Sequence, residues 1–165
     1  FDPLFFRISP KEAMDMDPQE RLFLEESWKT FEDAGYTRER IAKKYNGNVG
    51  VFAGVTRTGY EWYGSQLSKN HSDIRPITSF CSIANRVSFI FNLHGPSIPV
   101  DTMCSSSLSA LHIACENLRW GACDMAIAGG VNIYTHPSTY IYLSQMRMLS
   151  KTGSCKSFGA GADGC

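Results

Sequence analysis

Apolar positions along the chain fall into helical stripes separated by short continuous apolar runs, with glycine or proline at most joins. The first clear stripe follows Asp17-Pro18-Gln19-Glu20. Asp17 is suited to cap a helix, Pro18 to occupy its first position, and Glu20 to complete a capping box. Leu24, Trp28 and Phe31 then share one face, and Gly35 ends the helix, which reads as a packing element. Thr37 to Tyr45 reads as a short, basic, solvated helix. Val49 to Gly54 is a glycine-bounded apolar run that predicts a buried strand. From Thr56 to Asn70 the chain is aromatic and mixed; a helix packing Tyr60, Trp62 and Tyr63 is preferred to a loop facing substrate or partner. Ile77 to Leu93 predicts a helix stopped by Gly95-Pro96, with Arg86 in its middle as an ion-pair residue.

The next stretch has the order and length of a βαβ unit. Ser97 to Thr102 has strand character, 105–120 helical character, and Asp124 to Val131 strand character again. The helix is apolar nearly all round (Leu108, Leu111, Ile113, Leu118), which predicts burial rather than a surface position. Met125-Ala126-Ile127-Ala128 is continuous, as in a central strand covered on both faces. A further helix is expected over 136–149, after Pro137, and glycine-rich loop from Gly153. Gly159 to Gly164 spells G-x-G-x-x-G. It lacks the preceding strand and following helix that a dinucleotide site requires, and that reading is set aside.

Composition narrows the function classes. Apolar residues make up 43% of the chain and charged residues 19%, as in a globular domain. Lys plus Arg equals Asp plus Glu at 16 each, so neither nucleic acid nor an anionic membrane is an expected partner. No run approaches the ~18 apolar residues of a membrane span. The six cysteines form no C-x-x-C pair, and free thiols in a reducing cytoplasm are expected. No ligand set has metal spacing, and no G-x-S-x-G marks a serine hydrolase.

One cysteine differs from the rest in position. Cys104 stands at the join of predicted strand and predicted helix, followed by Ser105, Ser106 and Ser107. Unpaired N–H groups at a helix start favour a thiolate and can hold the oxygen of a carbonyl under attack. The serines are expected to cap the helix start and keep it slim. On these grounds alone Cys104 is either a nucleophile or a buried structural thiol. Cys115 and Cys123 read as packing residues. A Cys–His pair would be the obvious activating device. His112, however, lies two helical turns further on, and none of His71, His94, His112 and His136 is assigned a role.

Asp101-Thr102-Met103-Cys104-Ser105-Ser106-Ser107-Leu108 resembles the active-site motif of the β-ketoacyl synthases, in particular the ketosynthase domains of modular bacterial polyketide synthases. Phe1-Asp2-Pro3-Leu4-Phe5-Phe6, Ile8-Ser9-Pro10, Met16-Asp17-Pro18-Gln19-Glu20-Arg21, Asn85-Arg86-Val87-Ser88, Gly129-Gly130-Val131-Asn132 and Cys155-Lys156-Ser157-Phe158 are similar to further blocks of that family, in the same order. The resemblance implies a thiolase-like α/β fold of layered αβαβα type, with residues 1–165 as its N-terminal half and the catalytic histidines and lysine in a C-terminal half beyond this sequence. It implies decarboxylative Claisen condensation, with Cys104 as nucleophile and its own N–H in the oxyanion hole. The domain would bind no cofactor; the phosphopantetheine arm of an acyl carrier protein would bring the substrates. An acyltransferase, free-standing by the analogy of Met103, and a second copy of the domain are the other implied partners, in the cytoplasm. Pro99 fits an edge strand, and the resemblance places that edge at the two-fold interface. Two alternatives stay open: a non-condensing ketosynthase-like domain that binds or passes on acyl chains, and a thiolase-like enzyme using coenzyme A substrates.

Overall fold

The computed structural model describes residues 1–57, 59–64, 75–76 and 79–165. They divide into two units, Phe1–Ile133 and Tyr134–Cys165. The first is organised on a parallel three-stranded sheet with strand order β2-β1-β3. Its elements run α1 (Pro10–Asp15), α2 (Pro18–Asp33), α3 (Arg38–Tyr45), β1 (Val49–Gly54), α4 (Phe80–Phe91), β2 (Ser97–Val100), a 3₁₀ turn (Met103–Ser105), α5 (Ser106–Arg119) and β3 (Met125–Gly130). The second unit holds α6 (Pro137–Gln145). The α/β class and the parallel βαβ unit expected from the sequence are present.

β1 lies in the middle, in register with β2 from Val51↔Ser97 to Gly54↔Val100 and with β3 from Val49↔Met125 to Gly54↔Gly130. All six of its residues are buried, and successive side chains serve opposite faces. Val49, Val51 and Ala53 join Leu24 and Phe31 of α2 and Ile83, Val87 and Phe91 of α4 in the larger core. Phe52 faces the other way, onto Ala110 and Ala114 of α5 and Val100. Each large apolar side chain in these clusters stabilises the fold by about 1.5–3 kcal/mol. α2 begins as its sequence predicts, with the Asp17 carboxylate accepting from the Gln19 N–H at 2.8 Å and Pro18 at the first helical position. Arg86 is the ion-pair residue expected: its Nε donates to buried Glu20 at 2.8 Å and its Nη1 to Glu12 at 2.7 Å.

Several expectations change. α1 was not foreseen; Ser9 caps it by accepting from the Glu12 N–H. α4 starts at Phe80 and ends at Asn92 in left-handed backbone, ahead of Gly95-Pro96, while residues 77 and 78 lie outside the described residues. The central strand is β1, and β3 flanks it with Ile127 as its one buried residue. α5 is not enclosed. Ser106, Ala110 and Ala114 are its buried residues, and small side chains at that i, i+4 spacing let it lie close on the sheet. Leu108 and Leu111 on its other side are 72% and 52% exposed. In the aromatic stretch a helical segment spans 60–64; the Tyr60 hydroxyl donates to the Met14 carbonyl, Trp62 is exposed, and residues 65–70 lie outside the described residues. In the second unit α6 stops at Gln145, short of the expected 149, and residues 157–161 form a bend and turns.

Candidate active site

β2 ends at Val100, and five residues turn the chain into α5. Asp101 starts the turn by accepting the Met103 N–H at 3.0 Å on Oδ1. The N–H of Thr102 donates to Ser106 Oγ at 3.0 Å, and the N–H of Ser105 to the Thr102 carbonyl at 3.3 Å. Met103 has φ +57°, a left-handed conformation that costs a non-glycine residue about 1–2 kcal/mol. Its carbonyl is pinned: Ser106 Oγ donates to it at 2.6 Å and Thr56 Oγ1 at 3.1 Å. Cys104 follows in the 3₁₀ turn, exposed, two residues before the first residue of α5.

The serines do something other than cap. Ser105 occupies the N-cap position with φ −92°, ψ 2°, outside the extended geometry a cap needs, and makes no side-chain cap bond. Its hydroxyl turns back to the Thr102 carbonyl at 2.8 Å. Ser106 is buried and fastens the turn from inside. Slimness is what Ser107 and its strand neighbours supply. A Cβ on Gly54 would stand 2.8 Å from the backbone of Ser106 and Ser107, and one on Gly130 would overlap Ser107 Oγ. Glycines at the carboxyl ends of β1 and β3 thus let the start of α5 sit directly on the sheet. Cys104 is held beyond those carboxyl ends, where open parallel α/β sheets place their ligands.

The other thiols lie elsewhere. Cys115 is half-buried along α5, while Cys123 is buried and desolvation pushes its thiol up. Cys81, Cys155 and Cys165 are exposed. His112 is exposed on α5, His94 precedes β2 at the end of the strand remote from Cys104, and His136 is the N-cap residue of α6. His71 lies outside the described residues. Among the described residues no group of three or more His, Cys, Asp or Glu side chains gathers as metal ligands, and no helix is long and apolar enough to cross a membrane. A cleft of about 620 Å³ beside α3 and the end of α4, lined by Arg7, Arg38, Phe89 and Asn92 among others, includes no residue of the turn.

Two residues at the site were not singled out from the sequence. Thr56 reaches the turn from the loop after β1. Gln19, 1% exposed, bridges that loop to the one after β3: its Nε2 donates to the Arg57 carbonyl at 2.8 Å, and its Oε1 accepts from the Ile133 N–H at 3.0 Å. A glutamine in a polar first helical turn carries no signal of burial; its partners lie 38 and 114 residues away.

Residues 1–165 match the family described as beta-ketoacyl synthase, N-terminal domain. The chain belongs to that family. Polyketide synthase PksL of Bacillus subtilis is 52% identical over 168 residues, an alignment covering 99% of this chain and 4% of the relative. Polyketide synthase ThaG of Burkholderia thailandensis is 52% identical over 164 residues, 99% of this chain and 3% of the relative. Among solved structures, the oxazolomycin ketosynthase domain OzmH KS7 of Streptomyces albus superposes with a TM-score of 0.90 at 48% identity, covering 99% of this chain and 28% of that one. The module 6 ketosynthase of the bacillaene synthase of Bacillus subtilis gives 0.84 at 43%, covering 99% and 27%. The chain is thus an N-terminal ketosynthase sequence of modular polyketide synthase type with the thiolase-like α/β fold, and it spans about 28% of such a solved domain.

Proposed function

We propose that this ketosynthase sequence supplies the acyl-accepting thiol of a carbon–carbon bond-forming acyltransferase. The carrying observation is Cys104, an exposed thiol on the pinned turn between β2 and α5. The sulfur attacks the carbonyl of an acyl thioester on the phosphopantetheine arm of an acyl carrier protein. A tetrahedral oxyanion forms and collapses, the acyl group stays on Cys104, and the thiol proton leaves with the freed pantetheine thiol. The Cys104 N–H donates to that oxyanion, since the neighbouring N–H groups of Thr102, Met103, Ser105 and Ser106 are engaged within the turn. A malonyl thioester on the carrier then loses carbon dioxide; its carbanion attacks the acyl-Cys104 carbonyl and the sulfur leaves. Groups that assist decarboxylation are assigned to no residue of this chain.

Carrier protein and acyltransferase are the partners this reading requires, with a second ketosynthase as the dimer mate. The dimer is supported by β2, which pairs with β1 along one edge and carries Pro99. The test uses the intact synthase with an acyl-carrier thioester. Cys104→Ala is expected to abolish acyl loading; undiminished loading overturns the reading.

A further inference from the structure

We propose that Gln19 is a positioning residue for the oxyanion donor, acting through Thr56. The proposal rests on the reading of Cys104 as the acylated thiol. It begins with the peptide unit joining Met103 to Cys104, which is planar, with its C=O and N–H pointing in opposite directions. Whatever fixes the Met103 carbonyl therefore aims the Cys104 N–H. That carbonyl is held by Ser106 Oγ at 2.6 Å and Thr56 Oγ1 at 3.1 Å, and the two hydroxyls lie 3.2 Å from each other. Ser106 belongs to α5 itself, whereas Thr56 comes from a different part of the chain, two residues past the end of β1.

Gln19 fixes that loop. Its side chain is enclosed, and both ends of its amide are used on backbone groups. The partners set the orientation, because the Arg57 carbonyl only accepts and the Ile133 N–H only donates. Arg57 is the residue after Thr56, so the carbonyl held by Gln19 lies next to the hydroxyl that holds Met103. Ile133 is three residues past β3, whose Gly130 receives Ser107. One side chain thereby ties together both strand ends on which the nucleophile turn rests. A left-handed non-glycine residue such as Met103 persists when its surroundings over-determine it, and Gln19 and Thr56 are part of that over-determination.

A merely structural glutamine would change stability and leave the bond to the oxyanion alone. The test therefore reads that bond. In the intact synthase, Cys104 is loaded with a carbonyl-¹³C acyl group from a carrier thioester, and the infrared band of the thioester carbonyl is recorded with the loading kinetics. Thr56→Val, which keeps the shape of the side chain, and Gln19→Met are each expected to raise the band to higher wavenumber. Each should lower the loading kcat about five- to tenfold with KM within about twofold, the scale of one displaced hydrogen bond. Thr56→Ser retains the parental values. The double variant Gln19→Met/Thr56→Val is no slower than its slower parent, since both act on one peptide unit.

An unmoved band with parental kcat in folded Gln19→Met, or single effects that multiply in the double variant, overturns the proposal. So does a slow Thr56→Val beside a parental Gln19→Met. Should circular dichroism show that Gln19→Met does not fold, Gln19→Asn takes its place, keeping the amide but too short to span both partners. Failure of the underlying reading looks different: acyl loading then persists in Cys104→Ala.

Discussion

Met103 carries strain on behalf of its neighbour. Its φ of +57° sits one residue before the thiol, where glycine would meet no steric penalty. Met103→Gly is expected to stabilise the protein by about 0.5–1 kcal/mol, the left-handed penalty less the extra entropy glycine loses on folding. The same change loosens the peptide that aims the Cys104 N–H, so acyl loading should slow while the unfolding midpoint in urea rises. A variant that is both faster and more stable would show that the strain serves no purpose at this site. The residue scale is also where the sequence was least informative. The place of Cys104 was legible because a strand-to-helix join is a local pattern. Gln19 and Thr56 were not, because their roles exist only after residues 38 and 114 positions apart meet Gln19, and residues 47 and 50 apart meet Thr56.

At the scale of elements, caps and breakers were readable and layer positions were not. Asp17, Pro18 and Gly35 marked α2 through local hydrogen bonds and backbone conformation, and the structure keeps them. The place of a strand in a sheet depends on pairing: the apolar run at 125–128 looked central but flanks β1. The apolar pattern of α5 predicts burial all round, but one side lies on the sheet and the other is exposed. Three helices are fastened by one charge. Arg86 on α4 pairs with Glu20 of α2, whose side chain is 3% exposed, and with Glu12 of α1, 45% exposed. Arg86→Met leaves Glu20 enclosed without its cation and is expected to cost about 3–5 kcal/mol. Glu12→Gln removes a solvated partner and should cost under about 1 kcal/mol. Thermal and urea unfolding of the two variants check the order; equal costs would show that the buried bond to Glu20 is not the one that matters.

For the molecule as a whole, the exposed side of α5 dominates expected behaviour. Leu108 and Leu111 there are exposed apolar side chains three residues apart on one helix side, the kind of surface that self-associates. The 165-residue chain expressed alone is expected to aggregate at micromolar concentration by light scattering. Leu108→Lys with Leu111→Lys should reduce that association several-fold; no reduction would place the sticky surface elsewhere. Family and fold agree with one another, since the family match spans residues 1–165 and the solved ketosynthases share the fold of this chain. The central claim is that one thiol among six carries the acyl group. It is tested most directly by incubating the intact synthase with an acyl-carrier thioester, digesting it, and locating the added mass by mass spectrometry. The account requires the acyl group on the peptide containing Cys104, in the parent and in Cys115→Ala alike; an acyl group on any other cysteine would contradict it.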